Sequence, residues 1–174
     1  GCNRSATSLR DAVRDADVVV LAAPLDAILV LMQELTTHLN PSTVVTDVAG
    51  VKVPPVETAR SLLPGRFVGG HPMAGAATAG PESARADLFD GAAWAVCPVP
   101  ETPFEAVEPI EALARAAGAT PVTMTAAVHD AAVSWVSHVP QLLALELLAG
   151  LDDRGGLASA VGRLAAGGFR DLTR

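Results

Sequence analysis

Up to about residue 125 the apolar positions come as short β-branched runs separated by stretches with helical spacing; beyond it they form one long helical pattern. The runs VVVLAA (Val18–Ala23), TVVTDV (Thr43–Val48) and FVGG (Phe67–Gly70) are apolar on both faces. Continuous runs of this kind belong to parallel strands covered by helices on each side. Between them, Ser8–Ala16 carries Leu9, Ala12, Val13 and Ala16 at helical spacing, with Ser5, Thr7 or Ser8 available as a cap. Leu25–Leu39 predicts an apolar-rich helix before the Asn40-Pro41 turn, and Val56–Leu63 a shorter one closed by Pro64-Gly65. After a small-residue loop, Ala74–Gly80, the pattern predicts a helix over Pro81–Phe89 and a strand over Trp94–Cys97. A helix over Pro103–Gly118 and a strand over Thr120–Thr125 complete this part.

Strands alternating with helices in this way predict an α/β fold, a partial Rossmann-type and mainly parallel sheet. From Ala126 to Gly150 the chain is one long apolar helix, bent at Pro140, with a second helical stretch from near Leu157. The domains are therefore expected at 1–125, the α/β part, and 126–174, all-helical. Both ends look cut. Gly1-Cys2-Asn3 has the character of a strand end whose start is missing, and GGFRDLTR stops without a helix-ending signal. The expectation is a fragment, lacking the first βαβ unit of the sheet and most of the second domain.

Composition narrows the function. Half of the 174 residues are hydrophobic, enough for a packed core and unlike a disordered chain. The net charge of -7 comes without any basic stripe, which argues against a nucleic-acid partner. Apolar runs are interrupted, Val18–Met32 by Pro24 and Asp26 and Gln141–Leu151 by Glu146, so no membrane partner is expected. The opening GCNRSATSLRD has no apolar signal-peptide core. Cys2 and Cys97 stand alone, without CxxC or Cys/His spacing, which implies reduced thiols, a cytoplasmic setting and no metal site.

In an open α/β sheet, ligands bind beyond the carboxyl ends of the strands. Three such ends carry distinctive residues here: Ala23-Pro24, Asp47 to Gly50, and Gly70-His71. In FVGGHPMAG the paired glycines allow a close backbone approach or a positive φ, and Pro72 keeps His71 out of helix. His71 then projects from a strand end, either as a proton acceptor or as a turn residue. The chain opens where the second strand of a dinucleotide-binding domain would end, the place that reads the cofactor's ribose. Asn3-Arg4-Ser5 stands there: an uncharged Asn, an Arg able to pair with a phosphate, and a hydroxyl. The alternative is an ordinary strand-end turn with a solvated Arg. His129-Asp130 opens the long helix and suggests capping; His138 before Val139-Pro140 is either a core histidine or a site neighbour; Lys52 either anchors its loop or is solvated.

With TDVAGVK (Thr46–Lys52), GGHPMAG (Gly69–Gly75), LFDG (Leu88–Gly91), HD…SHVP (His129–Pro140) and GGFRDLTR (Gly167–Arg174) in this order, the sequence resembles the prephenate/arogenate dehydrogenase family. The resemblance implies an NAD(P)-dependent oxidative decarboxylation of a cyclohexadienol in tyrosine biosynthesis, and a homodimer formed through the helical domain. It makes His71 the catalytic proton acceptor and Arg174 the substrate-binding arginine, with His138, Gln141, Ala77 and Gly50 as further substrate positions. Asn3, Arg4, Ser5, Ala23, Pro24 and Asp47 become the cofactor positions, for NADP, with NAD as the alternative. The family often has Ser at the place of Gly50, Glu at that of Ala77 and a second His at that of Gln141. These departures bear on substrate choice and lean slightly to arogenate over prephenate. The piece alone is expected to be inactive. Two other readings compete. One is an NADP-linked β-hydroxyacid-type dehydrogenase, which relies on a lysine from its helical domain, where residues 126–174 have none. The other is a non-catalytic truncated paralogue that only binds ligand or dimerises.

Overall fold

The computed structural model of the chain describes residues 3–75, 80, 83–152 and 156–173. It divides into two units, Gly1–Asp130 and Ala131–Arg174. The first runs α1 (Leu9–Val13), β1 (Val18–Leu21), α2 (Leu25–Leu35), β2 (Val44–Asp47), α3 (Val53–Leu62), β3 (Phe67–Pro72), β4 (Ala93–Cys97), α4 (Phe104–Ala116) and β5 (Thr120–Thr123), and enters α5 (Ala126–Val133). The five strands form one sheet in chain order. Pairing is parallel from β1 through β3, antiparallel between β3 and β4, and parallel again between β4 and β5.

The two-sided apolar runs have a direct cause. Neighbours along a strand face opposite sides of the sheet. Val45 and Phe67 pack with Ile28, Met32 and Leu35 of α2 and Val56 and Ala59 of α3. Val44 and Val68 pack on the other side with Trp94, Val96 and with Ala106, Ile110 and Ala114 of α4.

Three expectations are corrected. Residues 83–89 form turns rather than the helix predicted over Pro81–Phe89, because an antiparallel β3–β4 pair needs no helical crossover. The α2 helix ends at Leu35 rather than Leu39: the hydroxyls of Thr36 and Thr37 donate to the carbonyls of Gln33 and Glu34 and close the last turn. The α3 helix begins at Val53, three residues early, because Pro54 and Pro55 fit a first turn, where an N–H has no helical partner.

In the second unit a π-helical segment, Ser134–His138, leads into α6 (Val139–Asp152), followed by α7 (Leu157–Leu164) and α8 (Gly167–Thr173), both packed on α6. Just before Pro140, where a bend was expected, the helix has this π segment. The Val139 N–H donates to the Ser134 carbonyl, one residue further back than in an α-helix. Ala126–Leu151 forms 26 continuous helical residues, long and apolar enough by length and composition to cross a membrane. The long helix itself was expected over Ala126–Gly150; that its length and composition would suffice for a membrane span was not, because Glu146 interrupts the apolar run.

Candidate active site

At the carboxyl end of β2, Asp47 is fully buried and all its bonds are to protein. Its Oδ1 accepts the Gly70 N–H at 3.1 Å, and its Oδ2 accepts the Ala49 N–H at 3.1 Å and the Lys52 ammonium. Lys52 Nζ, fully buried as well, also donates to the Gly70 carbonyl at 2.6 Å. The β2–β3 ladder ends at Thr46↔Val68, and the Asp47–Lys52 pair then grips both polar groups of Gly70. His71, the next residue, is held by that grip. Burial pulls the Lys52 ammonium below its ordinary pKa, and the neighbouring Asp47 opposes the shift. Burial likewise pushes the adjacent Cys97 thiol up to about 12, so it stays an inert thiol.

The paired glycines serve close approach, not a positive φ. A Cβ on Gly69 would lie 3.0 Å from Val56 and 3.3 Å from the Lys52 stem. On Gly70 it would lie 2.6 Å from the Asp47 carbonyl oxygen and 2.8 Å from the Thr46 hydroxyl. Packing at this density leaves no room for a methyl group.

His71 meets a partner that sequence spacing does not reveal. Its Nδ1 lies 2.9 Å from Nε2 of His129, and the two rings meet edge to face at 5.1 Å. His129 is buried, and its Nδ1 lies 2.7 Å from Asp130 Oδ1. Asp130 also accepts the Lys52 N–H at 2.7 Å and the Val53 N–H at 2.9 Å. These are the open donors at the start of α3, since Pro54 and Pro55 have no N–H to satisfy. Burial raises the Asp130 pKa, but the bonds from His129, Val53 and Lys52 outweigh it and hold the carboxyl below its ordinary range.

The capping role expected of His129 belongs to Thr125, whose hydroxyl accepts the Val128 N–H at 3.2 Å. Lys52 is the anchor, not the solvated alternative. Asp47, expected among the cofactor contacts, is a buried strut with its carboxylate occupied. Gly50 is exposed on the loop after β2, and a Cβ there would stand 3.9 Å from Cε1 and Nε2 of His71. Ala23 and Pro24 follow β1, with the Pro24 carbonyl accepting the Ile28 N–H at the start of α2. Asn3 is exposed, and Arg4 and Ser5 line a hollow of about 300 Å³ with Asp11 and Asp15. His138 and Gln141 lie in the second unit, both exposed in this chain. Ala77 and Arg174 fall outside the described residues. Among those described, no group of three or more His, Cys, Asp or Glu could hold a metal.

Residues 2–123 match the family described as prephenate dehydrogenase, nucleotide-binding domain, and residues 125–174 the one described as prephenate dehydrogenase, dimerization domain. Fold and matches together define a nucleotide-binding α/β domain followed by a helical dimerisation domain. The chain belongs to the prephenate/arogenate dehydrogenase family. It is 37% identical over 172 residues to the prephenate dehydrogenase of Bacillus subtilis, covering 97% of this chain and 46% of that one. The Synechocystis arogenate dehydrogenase structure superposes with a TM-score of 0.80 at 34% identity, covering 95% of this chain and 60% of that one. A prephenate dehydrogenase from A. aeolicus, in complex with hydroxyphenyl propionate and NAD+, gives 0.81 at 28% identity, covering 91% and 55%. The chain spans about half the length of the curated relatives it matches. The family boundary falls at residues 123–125, whereas contacts group the chain through Asp130 with the sheet, since His129 and Asp130 bond to β3 and to the start of α3.

Proposed function

We propose that this chain carries the proton-accepting half of an NAD(P)-dependent prephenate/arogenate dehydrogenase. The observation that carries the reading is the hydrogen-bonded series His71–His129–Asp130 at the end of β3, in a chain of this family. The reaction oxidises a ring carbinol and expels the ring carboxylate as carbon dioxide, its bonding electrons completing an aromatic ring. His71 takes the hydroxyl proton as the carbonyl forms. Asp47 and Lys52 fix the backbone from which His71 projects, and the clearance over Gly50 leaves space beside its imidazole. Arg174 would grip a substrate carboxylate, for which a guanidinium is well shaped.

A nicotinamide cofactor suits the nucleotide-binding domain: Arg4 and Ser5 offer a cation and a hydroxyl in an open hollow. When bound, the cofactor supplies the hydride acceptor. NADP is the preferred reading, with Arg4 on its 2′-phosphate. The helical unit is the dimerisation part, and exposed Leu142, Leu143, Leu145, Leu147 and Leu148 on α6 support a homodimer. His138 and Glu146 within that helix favour an interface over a membrane span, which keeps a cytoplasmic enzyme as the reading. Arogenate is the preferred substrate, because Gln141 offers a carbonyl oxygen to an ammonium and carries no charge to repel one.

The test is turnover of both substrates with both cofactors by the full-length protein, followed as reduced nicotinamide. Formation of tyrosine from arogenate with NADP is expected. No turnover of either substrate would overturn the assignment.

A further inference from the structure

Two chain segments, 78 residues apart, meet at one carboxylate. Asp130 Oδ1 takes both the Lys52 N–H and the His129 ring, and Oδ2 takes the Val53 N–H. Two backbone groups and one imidazole ring are thereby tied to the state of a single carboxylate.

We propose that Asp130 is the positioning residue that decides which nitrogen of His71 carries the proton. An ionised carboxylate only accepts hydrogen bonds, so the nitrogen facing it, His129 Nδ1, must carry a hydrogen. In neutral His129 the other nitrogen, Nε2, then holds a lone pair and accepts. His71 Nδ1, 2.9 Å away, must therefore donate. That leaves the His71 lone pair on Nε2, the nitrogen on the Gly50 side of the ring. Each link has one solution, and the direction is set at the Asp130 end. Asp130 stays an acceptor because two backbone N–H groups at the start of α3 stabilise its charge, with the positive end of the helix behind them. The series thus transmits the charge state of a helix start, through two rings, to the nitrogen that accepts the substrate proton. The charged and titratable groups around Asp130 are His129 on its own helix, Lys52 before α3, Cys97 on β4 and, through His129, His71 on β3.

This inference rests on the dehydrogenase reading for its kinetic consequence but not for its structural one, and the test separates the two. Nitrogen-15 spectra of the histidine rings in the full-length protein report the tautomer directly, without substrate. The expected wild-type state is His71 with hydrogen on Nδ1 and its lone pair on Nε2. Asp130→Asn should give a mixture of tautomers. It should also move the acid limb of kcat/KM to lower pH, because the histidine pair loses the negative charge that favours its protonated form. Turnover should fall about ten- to a hundredfold, less than the roughly 10²–10⁴-fold that a positioned base contributes, because the base itself remains. Should that variant not fold, His129→Leu leaves the backbone N–H groups of Lys52 and Val53 on Asp130 and removes the ring that links it to His71. His129→Gln restores an acceptor whose amide Asp130 would orient. The leucine variant should show mixed His71 tautomers and low turnover, and the glutamine variant should recover both toward wild type. A single unchanged His71 tautomer in Asp130→Asn, or in His129→Leu, would overturn the inference whatever the activity. Absence of turnover in the wild type, with the tautomers behaving as described, would overturn only the dehydrogenase reading.

Discussion

Replacing Lys52 by Met tests what holds β3 against β2 beyond the last ladder pair. The methionine keeps the apolar stem that packs on Gly69, 3.3 Å from the position a Cβ would take there, and deletes only the ammonium. Two bonds vanish, those to Asp47 Oδ2 and to the Gly70 carbonyl, and Asp47 is left as a buried charge without its cation. Breaking one side of a buried ion pair costs about 3–5 kcal/mol, more than the pair itself contributes, because of the stranded charge. Typical domains have only about 5–15 kcal/mol in total. An internal control is available in Arg60, whose guanidinium meets Glu101 at 3.4 Å with side chains 55% and 67% exposed. Solvent screens that pair, and Arg60→Met should cost about 0–1 kcal/mol. The assay is urea unfolding followed by fluorescence of buried Trp94, with exposed Trp135 changed to Phe in every variant to remove its signal. Hydrogen exchange of the Gly70 amide supplies a local reading of the same grip. A Lys52→Met cost indistinguishable from that of Arg60→Met would refute the reasoning, showing that the core closes over Asp47 without its cation.

Four further outcomes are expected. His71→Asn should bind cofactor as before and lose roughly 10²–10⁴-fold in turnover, the range of a lost general base, measured by cofactor titration and steady-state rates. Arg4→Ala should weaken NADP and leave NAD nearly unchanged, and equal losses in the two titrations would remove Arg4 from the phosphate. Gly70→Ala should sharply lower stability, because its methyl would lie 2.6 Å from the Asp47 carbonyl oxygen, whereas Gly75→Ala, with nothing within 4 Å, should leave thermal unfolding nearly unchanged. Asp130 binds its proton less readily when folded than when unfolded, so its contribution is present above the ordinary value of 3.8 and is lost as pH falls through its depressed folded value. Acid unfolding of Asp130→Asn should lack this component, and identical acid profiles would count against it.

The sheet was legible because two-sided apolar runs have few other homes. Val44-Val45 and Phe67-Val68 must place successive side chains on opposite faces, and each face needs a helix layer. Residues 83–89 were misjudged since their spacing is compatible with a helix, while the direction of β4 relative to β3 leaves no local trace in Trp94–Cys97. His71 was legible through local chemistry, with glycines before it and a proline after it. Its partner was not. His129-Asp130 at a helix start has the spacing of a cap, and no sequence pattern announces a bond between residues 58 positions apart. Lys52 was undecidable from sequence for the same reason: its burial depends on Asp47 and Gly70 converging in space. The one available signal was a lysine five residues after a strand-end aspartate in an otherwise apolar stretch, a spacing that lets a long stem fold back on its own strand.

The residues that hold the imidazole and the residues that depart from the family's usual pattern are physically different sets. Asp47, Lys52, Gly69, Gly70 and His129 are buried, and each is constrained by several neighbours at bonding or contact distance. A change at any of them strands a charge, a donor or a methyl group inside the core, and such changes cost enough to threaten folding. Gly50 and Gln141 are exposed, and at Gly50 a Cβ would meet the His71 ring only at ordinary van der Waals distance. Substitution at either position adds no load to the core. On the proposed reading, exchanges at these two positions leave the buried set that holds His71 untouched.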